Sequence, residues 1–375
     1  MGATGTGIFA GCLGDEGSSE PGDGASRPST PSSPSGLDDV ELPVPSDEMR
    51  TALPRDHIPA IVEPVFADDW DDVDADEDTT LPIDAPVIGV ERDGRSRAYP
   101  LRVLDWHEIA NDDLGGPISV TYCVLCGSSV VVERYVDGEP TIFGVSGKLW
   151  KSDLVMYDEA TDSLWSQLLA TAIRGPQTGR TLRIVQSTLT TWGEWREMYP
   201  DTEVLLPPPE SNTVVGPGRT FDYFEPKYGY GDESQLVGRD SFDGDLHSKT
   251  MVVGIRSDGE ARAYPYHVVV EEDPVVDRIG ESPVVVSIAP DDTLVAYDRR
   301  VEGRTLEFEG ADERHLEAGG SRWERASGVA VDGPYRDTEL GRANDLPPMF
   351  WLGWSNFNPE SDVYGIDVDD VVIEE

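Results

Sequence analysis

Short apolar runs, broken at intervals by turn residues, recur along most of this chain and predict a mainly β fold. The run at 87–91 is followed by Asp93-Gly94 and a second run at 96–99, which is the pattern of a β-hairpin. Further runs of strand length stand at 118–122, 129–135, 141–145, 154–157 and 164–167. Helical periodicity is confined to short segments such as 101–110. We therefore expect a mainly β protein of the α+β type with few short helices.

The same spacing of apolar, turn and tryptophan positions occurs twice, which predicts an internal repeat. Residues 97–100 and residues 262–265 both read Arg-Ala-Tyr-Pro, and a Val-rich run and an Asp-Gly turn precede each of them. Two later blocks also match: Trp165 with Trp323, and Trp192, Trp195 and Pro200 with Trp351, Trp354 and Pro359. The sequence therefore predicts two tandem, related β-rich domains.

Composition sets the expected boundaries of these domains. Residues 1–12 resemble a truncated signal with a lipoprotein cleavage box, and 13–52 read as a disordered acidic tether rich in Ser, Pro and Gly. We expect the first β-rich domain at 53–206 and a linker rich in Pro, Tyr and Gly at 207–249. The second, degenerate copy is expected at 250–375.

Cys12 follows the small residues at the start of the chain, and it is the residue that we expect to carry lipid. No apolar run reaches the ~18 residues that a membrane span needs, so membrane contact is expected only through this anchor. The resulting prediction is a protein at the cell surface or secreted. The alternative is an incidental cysteine in a disordered tail, in a cytoplasmic protein of a high-salt cell.

Acidic residues dominate the charge, since 73 Asp and Glu stand against 29 Lys and Arg for a formal net charge of -44. A surface of this sign repels a nucleic-acid backbone, so we expect no nucleic-acid partner. An acidic folded surface is typical of proteins kept soluble in concentrated salt, where screening reduces self-repulsion. The chain has neither a phosphate-binding loop nor a dinucleotide fingerprint, so no nucleotide cofactor is expected. The pattern does not identify a small-molecule or protein partner.

One cysteine pair is the strongest candidate for a site. Two residues separate Cys123 from Cys126 at the end of a predicted strand, and Gly127 permits the positive φ of a turn. This is the pattern of a metal knuckle, which presents two thiolates to one ion. His107 is the predicted third ligand, and zinc, iron or copper fits such donors. The fourth ligand is left open among Glu108, Asp153, His57 and water.

The predicted second copy lacks this set of residues. With the two Tyr-Pro pairs aligned, His107 corresponds to Glu272 and, after one inserted residue, Cys123 corresponds to Ala289. The other correspondences are Trp106 with Glu271, Glu108 with Asp273, and Cys126 with Asp292. The joint absence argues that the histidine and the two cysteines act as one functional unit in the first copy.

Two other interpretations of the cysteine pair remain open. The pair can be the thiol–disulfide couple of an oxidoreductase with His107 as general base. Against it, no Lys or Arg between Trp106 and Arg134 supplies the positive charge that lowers a thiol pKa. The pair can also be a structural disulfide in a non-catalytic binding module, so the sequence does not decide whether the protein is an enzyme. Further candidates for the lining of the same cleft are Asp158, Ser166 and Gln167.

Several motifs in this chain resemble those of a known family. They are Arg97-Ala98-Tyr99-Pro100-Leu101, the segment 107–112, Tyr122-Cys123-Val124-Leu125-Cys126-Gly127, and the segments 143–147 and 163–167. From about residue 58 to its C-terminus the chain is similar to the bacterial and archaeal family called domain of unknown function 3179. That family usually has Pro where this chain has Val124. The resemblance implies an exported or membrane-associated setting and brings no activity with it.

Overall fold

Strands dominate the described structure, a computed structural model that covers residues 40–70, 73, 80–216, 221–223 and 246–366. These residues belong to one compact unit, 33–375. The mainly β class predicted from the sequence is confirmed. The predicted signal segment with Cys12 lies outside the described residues, as do most of the tether and most of the linker. Within the described part, none of the helices is long and apolar enough to cross a membrane.

The first part of the described chain (residues 40–223) has two short helices, α1 (Leu101–His107) and α2 (Trp192–Met198). Its strands are β1 (Arg50–Thr51), β2 (Ile61–Glu63), β3 (Val65–Ala67), β4 (Pro86–Arg92), β5 (Arg95–Pro100), β6 (Ile109–Asp113), β7 (Pro117–Cys123), β8 (Ser128–Glu133), β9 (Tyr135–Val136), β10 (Glu139–Pro140), β11 (Phe143–Trp150), β12 (Asp153–Asp158), β13 (Leu164–Ser166), β14 (Thr171–Arg174), β15 (Ile184–Val185), β16 (Thr188–Thr191), β17 (Glu203–Leu206) and β18 (Asn212–Thr213).

The second part (residues 246–366) has the helices α3 (Tyr266–Glu272) and α4 (Trp351–Phe357). Its strands are β19 (Met251–Ser257), β20 (Glu260–Pro265), β21 (Val275–Ile279), β22 (Ser282–Ile288), β23 (Leu294–Asp298), β24 (Arg300–Val301), β25 (Arg304–Thr305), β26 (Glu309–Gly310), β27 (His315–Ala318), β28 (Ser321–Glu324), β29 (Met349–Phe350) and β30 (Asp362–Val363).

Three larger sheets organise the first part, and two of them position the cysteine pair. Their strand orders are β15-β8-β7-β6-β2-β18, β16-β4-β5-β17-β3 and β1-β11-β12-β13-β14. In the six-stranded sheet, β7 lies between β6 and β8, and its last residue is Cys123. In the last sheet, β11 and β12 form a hairpin in which Trp150 pairs with Asp153. The ends of these two hairpins meet in one apolar core.

The second part is built from smaller sheets, of which the larger have the orders β29-β19-β20-β30, β21-β22-β23 and β26-β27-β28. Its segment β29–α4 joins the core that contains both cysteines, since Met349, Trp354 and Phe357 belong to that core. The thiol pair is therefore buried between side chains of both parts of the chain.

The helices begin where the sequence provides a start signal. Pro100 and Pro265, with φ of -61° and -69°, stand directly before α1 and α3, because the proline ring fixes a φ compatible with a helix start. Thr191 stands before α2, and its side chain accepts a hydrogen bond from the Glu194 backbone N–H at 3.4 Å. This Thr-x-x-Glu pattern is typical of a helix N-terminus.

One close approach of a tryptophan to a glycine occurs in both parts. Trp195 packs on Gly89, where a Cβ would lie 2.3 Å from the indole, and Trp354 packs on Gly254, where a Cβ would lie 2.1 Å from it. Any larger residue would collide with the ring, so these matched glycines are required by packing.

One partly buried ion pair also has the same form in both parts. Arg97 donates to Asp112 at 2.8 Å, and Arg262 donates to Asp277 at 2.7 Å. In each case the tyrosine two residues after the arginine also donates to the same aspartate. These contacts agree with the predicted repeat. The descent of both parts from one unit, with the proposed domain boundaries, stays a prediction.

Candidate metal centre

The turn between β7 and β8 holds both cysteines inside the protein. Cys123 pairs with Ser128 across the hairpin, and Gly127 takes a φ of +55°, which closes the four-residue turn. The two side chains are free thiols, with exposed fractions of 1% for Cys123 and 0% for Cys126. The Cys-x-x-Cys-Gly turn is therefore formed, and both of its thiols are buried.

The second hairpin, β11–β12, brings a carboxylate to the thiols. Its turn residues Lys151 and Ser152 have φ of +51° and +61°, the geometry of a tight hairpin turn that usually contains Asn or Gly. The turn directs the Ser152 carbonyl at the Cys126 thiol, which donates to it at 3.2 Å. Asp153 follows directly. One ligand atom each from Cys123, Cys126 and Asp153 lies within 4.8 Å of the others.

The two carboxylate oxygens of Asp153 differ: within the described structure, Oδ2 accepts hydrogen bonds and Oδ1 does not. Its Oδ2 accepts hydrogen bonds from the Leu168 backbone N–H at 3.0 Å and from the Ser166 hydroxyl at 3.4 Å. Its Oδ1 is buried and has no hydrogen-bond partner among the described residues. Burial raises the pKa of this carboxyl to about 7, and hydrogen bonds from the backbone of Leu168 and Leu154, from Ser166 and from the Cys123 thiol oppose the shift.

The Cys126 thiol also resists ionisation in the absence of a cation. A hydrogen bond to Cys123, burial, and the nearby charges of Cys123 and Asp153 raise the pKa of the Cys126 thiol. No described Lys or Arg side chain forms an ion pair or hydrogen bond with any of the three residues. The cluster therefore gathers three acidic groups in a buried place where only a cation would stabilise their charged forms.

His107, the predicted third ligand, is not brought into this cluster. It is fully buried, with Nδ1 at 2.7 Å from the Pro59 carbonyl oxygen and Nε2 at 2.8 Å from the Tyr223 hydroxyl. Glu108 ends α1 with a φ of +56°, and its backbone N–H donates to the Leu104 carbonyl. His57 is exposed. Of the predicted fourth ligands, the structure brings Asp153 to the cysteines.

Ser166 and Gln167, two of the predicted lining residues, contact Asp153 and the cysteine hairpin respectively. Ser166 contacts the Asp153 carboxylate. The Gln167 side chain donates to Thr121 Oγ1 at 3.1 Å and to the Ser128 carbonyl at 3.2 Å, so it fixes the cysteine hairpin.

Asp158, the third predicted lining residue, serves a turn instead. Its carboxylate accepts hydrogen bonds from the Thr161 backbone N–H at 2.6 Å and from Trp165 Nε1 at 2.9 Å. Further donors to this carboxylate are Ser163 N and the Thr161 hydroxyl. These contacts account for its burial without a ligand.

The sequence did not indicate that the second part covers the thiols. Residues 349–357, which we call the cover, lie on the cysteine turn. Phe350 N–H donates to the Cys126 carbonyl at 2.9 Å, and a Cβ on Gly127 would lie 2.7 Å from the Phe350 ring. A Cβ on Gly353 would lie 3.1 Å from the Cys126 Cβ. A glycine within a short helix was the available signal, because it marks a close approach of backbone.

Comparison with known proteins supports the resemblance carried by these motifs. No curated protein and no solved structure matches this chain. The family model described as "Protein of unknown function (DUF3179)" matches residues 55–361, which include the whole cluster and its cover. The match spans most of the 375 residues, and the chain belongs to this family.

Proposed function

We propose that Cys123, Cys126 and Asp153 bind a thiophilic metal cation, and that the protein acts through this bound ion. The observation that carries the proposal is the buried Asp153 Oδ1, which lacks a partner beside two buried thiols. An ionised carboxylate in such a place is costly unless a cation or a proton neutralises it.

The donor set favours zinc, and iron(II) is the next best fit. Two thiolates and one carboxylate oxygen are common ligands of both ions, whereas the carboxylate is a poor ligand for copper(I). A tetrahedral ion needs four donors, so these three residues leave one position for water or another small ligand. Such an ion would supply Lewis-acid chemistry or structural cross-linking.

Metal binding would be coupled to proton release. Each thiol that becomes a ligand gives up its proton, because the thiolate is the species that coordinates the ion. The raised pKa values of Cys126 and Asp153 mean that protons compete effectively with the metal near neutral pH. Affinity is therefore expected to rise steeply with pH.

Metal analysis of purified protein tests the proposal. We expect about one equivalent of bound zinc or iron in the wild type, and loss of it in Cys123→Ser, Cys126→Ser and Asp153→Asn. Cys12→Ser is the matched control, since it changes a cysteine that is not one of the three proposed ligands and should keep the metal. After cobalt(II) substitution, a sulfur-to-cobalt charge-transfer band should appear in the wild type and in Cys12→Ser. Equal, near-zero metal in the wild type and in Cys123→Ser would refute the proposal.

The second candidate function is thiol–disulfide exchange by the same pair. It is favoured by the closeness of the two sulfurs, which lie within 4.8 Å of each other. Burial and the raised pKa of Cys126 oppose it, because exchange requires an exposed thiolate. His107 is bonded to Pro59 and Tyr223, so it would have to change partners to serve as base. A pair that stays reduced in an oxidising glutathione buffer would remove this candidate.

A further inference from the structure

We propose that the cover, residues 349–357, is a gate: a metal ion or thiol reagent reaches Cys123 and Cys126 through a local opening that lifts the cover from the cysteine turn. The rest of the fold stays intact in this opening. The inference concerns the same cysteine pair as the proposed function. Its test uses metal-free protein, so the two can fail separately.

Access requires some opening because the cluster is sealed. Cys123 and Asp153 are 1% exposed and Cys126 is 0% exposed. Gly353 and the Phe350 ring lie directly against Cys126 and Gly127, so nothing the size of a hydrated ion fits between the cover and the turn. A change of side-chain rotamer cannot clear this path, since one of the two blocking surfaces is the backbone at Gly353.

The cover is the wall of the site best suited to move. The strands that carry the cysteines and Asp153 are held by the full ladders of β7–β8 and β11–β12. By contrast, β29 has two residues and pairs with β19 alone, and α4 has seven residues. A helix of this length has little stability of its own, so it depends on docking. Short elements with few backbone pairs open at lower free energy than central strands.

One pair of residues ties the cover to the hairpin that carries Asp153. Asn356 Nδ2 donates to the Lys151 carbonyl at 2.8 Å, and Lys151 Nζ donates to the Asn356 carbonyl at 3.2 Å. The Lys151 ammonium also lies 5.3 Å from the centroid of the Trp150 ring and 5.4 Å from that of Phe357. We call this pair the latch. The latch holds the β11–β12 turn, which contains the Ser152 carbonyl and is followed directly by Asp153.

The latch is exposed although the thiols are not, so it can be altered without touching the cluster. Asn356→Ala removes the side-chain donor, and Lys151→Met removes the ammonium while keeping its aliphatic stem. Asn212→Ala is the matched control, because Asn212 makes an exposed hydrogen bond to Glu63 at 2.6 Å as part of β18, away from the cluster.

Alkylation of the native, metal-free full chain by iodoacetamide measures the opening. The thiolate sulfur displaces iodide to form a carbon–sulfur bond, and the thiol proton goes to the buffer. The rate at Cys123 and Cys126, read by mass spectrometry, follows the open population when closing is fast. We expect slow labelling in the wild type and in Asn212→Ala, and labelling about tenfold faster in Asn356→Ala, as loss of a hydrogen bond allows. Lys151→Met should change in the same direction.

The dependence on urea separates a gate from unfolding. A local opening exposes little surface, so low urea should barely change the wild-type labelling rate. The inference is overturned if the rate rises with the full urea dependence of global unfolding. It is also overturned if both latch variants label at the wild-type rate, or if the wild-type thiols label as fast as those of the unfolded chain.

Discussion

The two parts of the chain place different side chains at the same point of the same framework. Gln167 and Arg325 each stand two residues after a buried tryptophan, and each reaches across to a strand of the neighbouring hairpin. Gln167 donates to the Thr121 hydroxyl at 3.1 Å. Arg325 donates to the Ser287 hydroxyl at 2.5 Å and also binds the Asp273 carboxylate. The first part thus has a neutral amide where the second has a cation.

Within the described part of the chain, the acidic cluster of the first part has no internal cation of this kind. In the second part, Arg325 neutralises Asp273 within the chain. In the first part, Asp153 and the two thiols have no such partner among the described residues. Asp273 aligns with Glu108 rather than with Asp153, so Arg325 neutralises a position that lies outside the cluster of the first part. The two parts therefore differ in where they place an internal cation.

The cysteine turn itself differs in length between the parts. Four residues separate the paired Cys123 and Ser128 in the first part. Three residues separate Ala289 from Thr293 in the second, where the Ala289 N–H donates to the Thr293 carbonyl at 2.8 Å. The second turn is therefore shorter by one residue.

The shorter turn corrects the expected alignment of Cys126 with Asp292. Asp292, with a φ of +63°, directly precedes Thr293, the residue bonded across the turn to Ala289; Gly127, with a φ of +55°, directly precedes Ser128, the residue paired with Cys123. Asp292 therefore corresponds to Gly127, and Asp291 corresponds to Cys126. Sequence spacing alone could not show this shift, because the missing residue lies inside the turn. Ala289 keeps its correspondence with Cys123.

Truncation of the two matched tryptophans is expected to change the stability of the protein the most. Trp165→Ala and Trp323→Ala should each lower the free energy of unfolding by about 3–5 kcal/mol, as loss of a buried aromatic does. The loss at Trp165 should be larger, because its indole N–H donates to the buried Asp158 carboxylate, whereas the indole N–H of Trp323 donates to the neutral Ala318 carbonyl. Urea denaturation measures both. A loss under about 1 kcal/mol at either site would contradict a common core in the two parts.

The stability of the metal-free protein should depend on pH through the buried Asp153. Because burial raises the pKa of Asp153 to about 7, the native state favours the protonated carboxyl. This stability is fully present below the unfolded pKa of about 4 and is lost as pH rises to about 7, by roughly 3–4 kcal/mol. Asp153→Asn should remove that part of the pH dependence. Denaturation of both proteins at several pH values, with a chelator present, measures this dependence. The same pH dependence in the wild type and in Asp153→Asn would contradict the raised pKa of Asp153.

Removal of the internal cation from the second part should cause the next largest loss in the free energy of unfolding. Arg325→Met leaves Asp273 without its partner and is expected to cost about 2–3 kcal/mol, because the carboxylate is not fully buried. Gln167→Met is the matched change in the first part, and it should cost about 1–2 kcal/mol through lost neutral hydrogen bonds. Chemical denaturation of both variants measures the two losses in the free energy of unfolding. Equal losses would show that charge does not distinguish the two positions.

The smallest expected effect concerns the helix starts. Thr191 caps α2 with its side chain, whereas Phe350 at the start of α4 provides no side-chain cap. Thr191→Ala should therefore cost about 0.5–1 kcal/mol, since the backbone bond from Thr191 N–H to Asp291 survives the change. Thermal and urea denaturation can resolve this loss. A cost above about 2 kcal/mol would mean that the hydroxyl has a role beyond capping.

The sequence was informative where structure is local. The Asp-Gly turns, the hairpins around them and the Cys-x-x-Cys-Gly turn follow from spacing and from residues that permit positive φ. The sequence did not select Asp153 among the candidate fourth ligands. The turn before it consists of Lys151 and Ser152, which are not the Asn or Gly that usually mark this turn type. The partner of His107 could not be predicted either, since Tyr223 lies 116 residues away along the chain.

The latch has a consequence for the order in which the molecule is made. Asn356 follows Lys151 by 205 residues, so a ribosome adding about 5–20 residues per second completes the cysteine hairpin roughly 10–40 seconds before its cover exists. During that interval the thiols and Asp153 are open to whatever ion or oxidant surrounds the growing chain. An ion bound at the proposed centre would then be selected in the compartment of synthesis, before the finished protein reaches equilibrium with its surroundings.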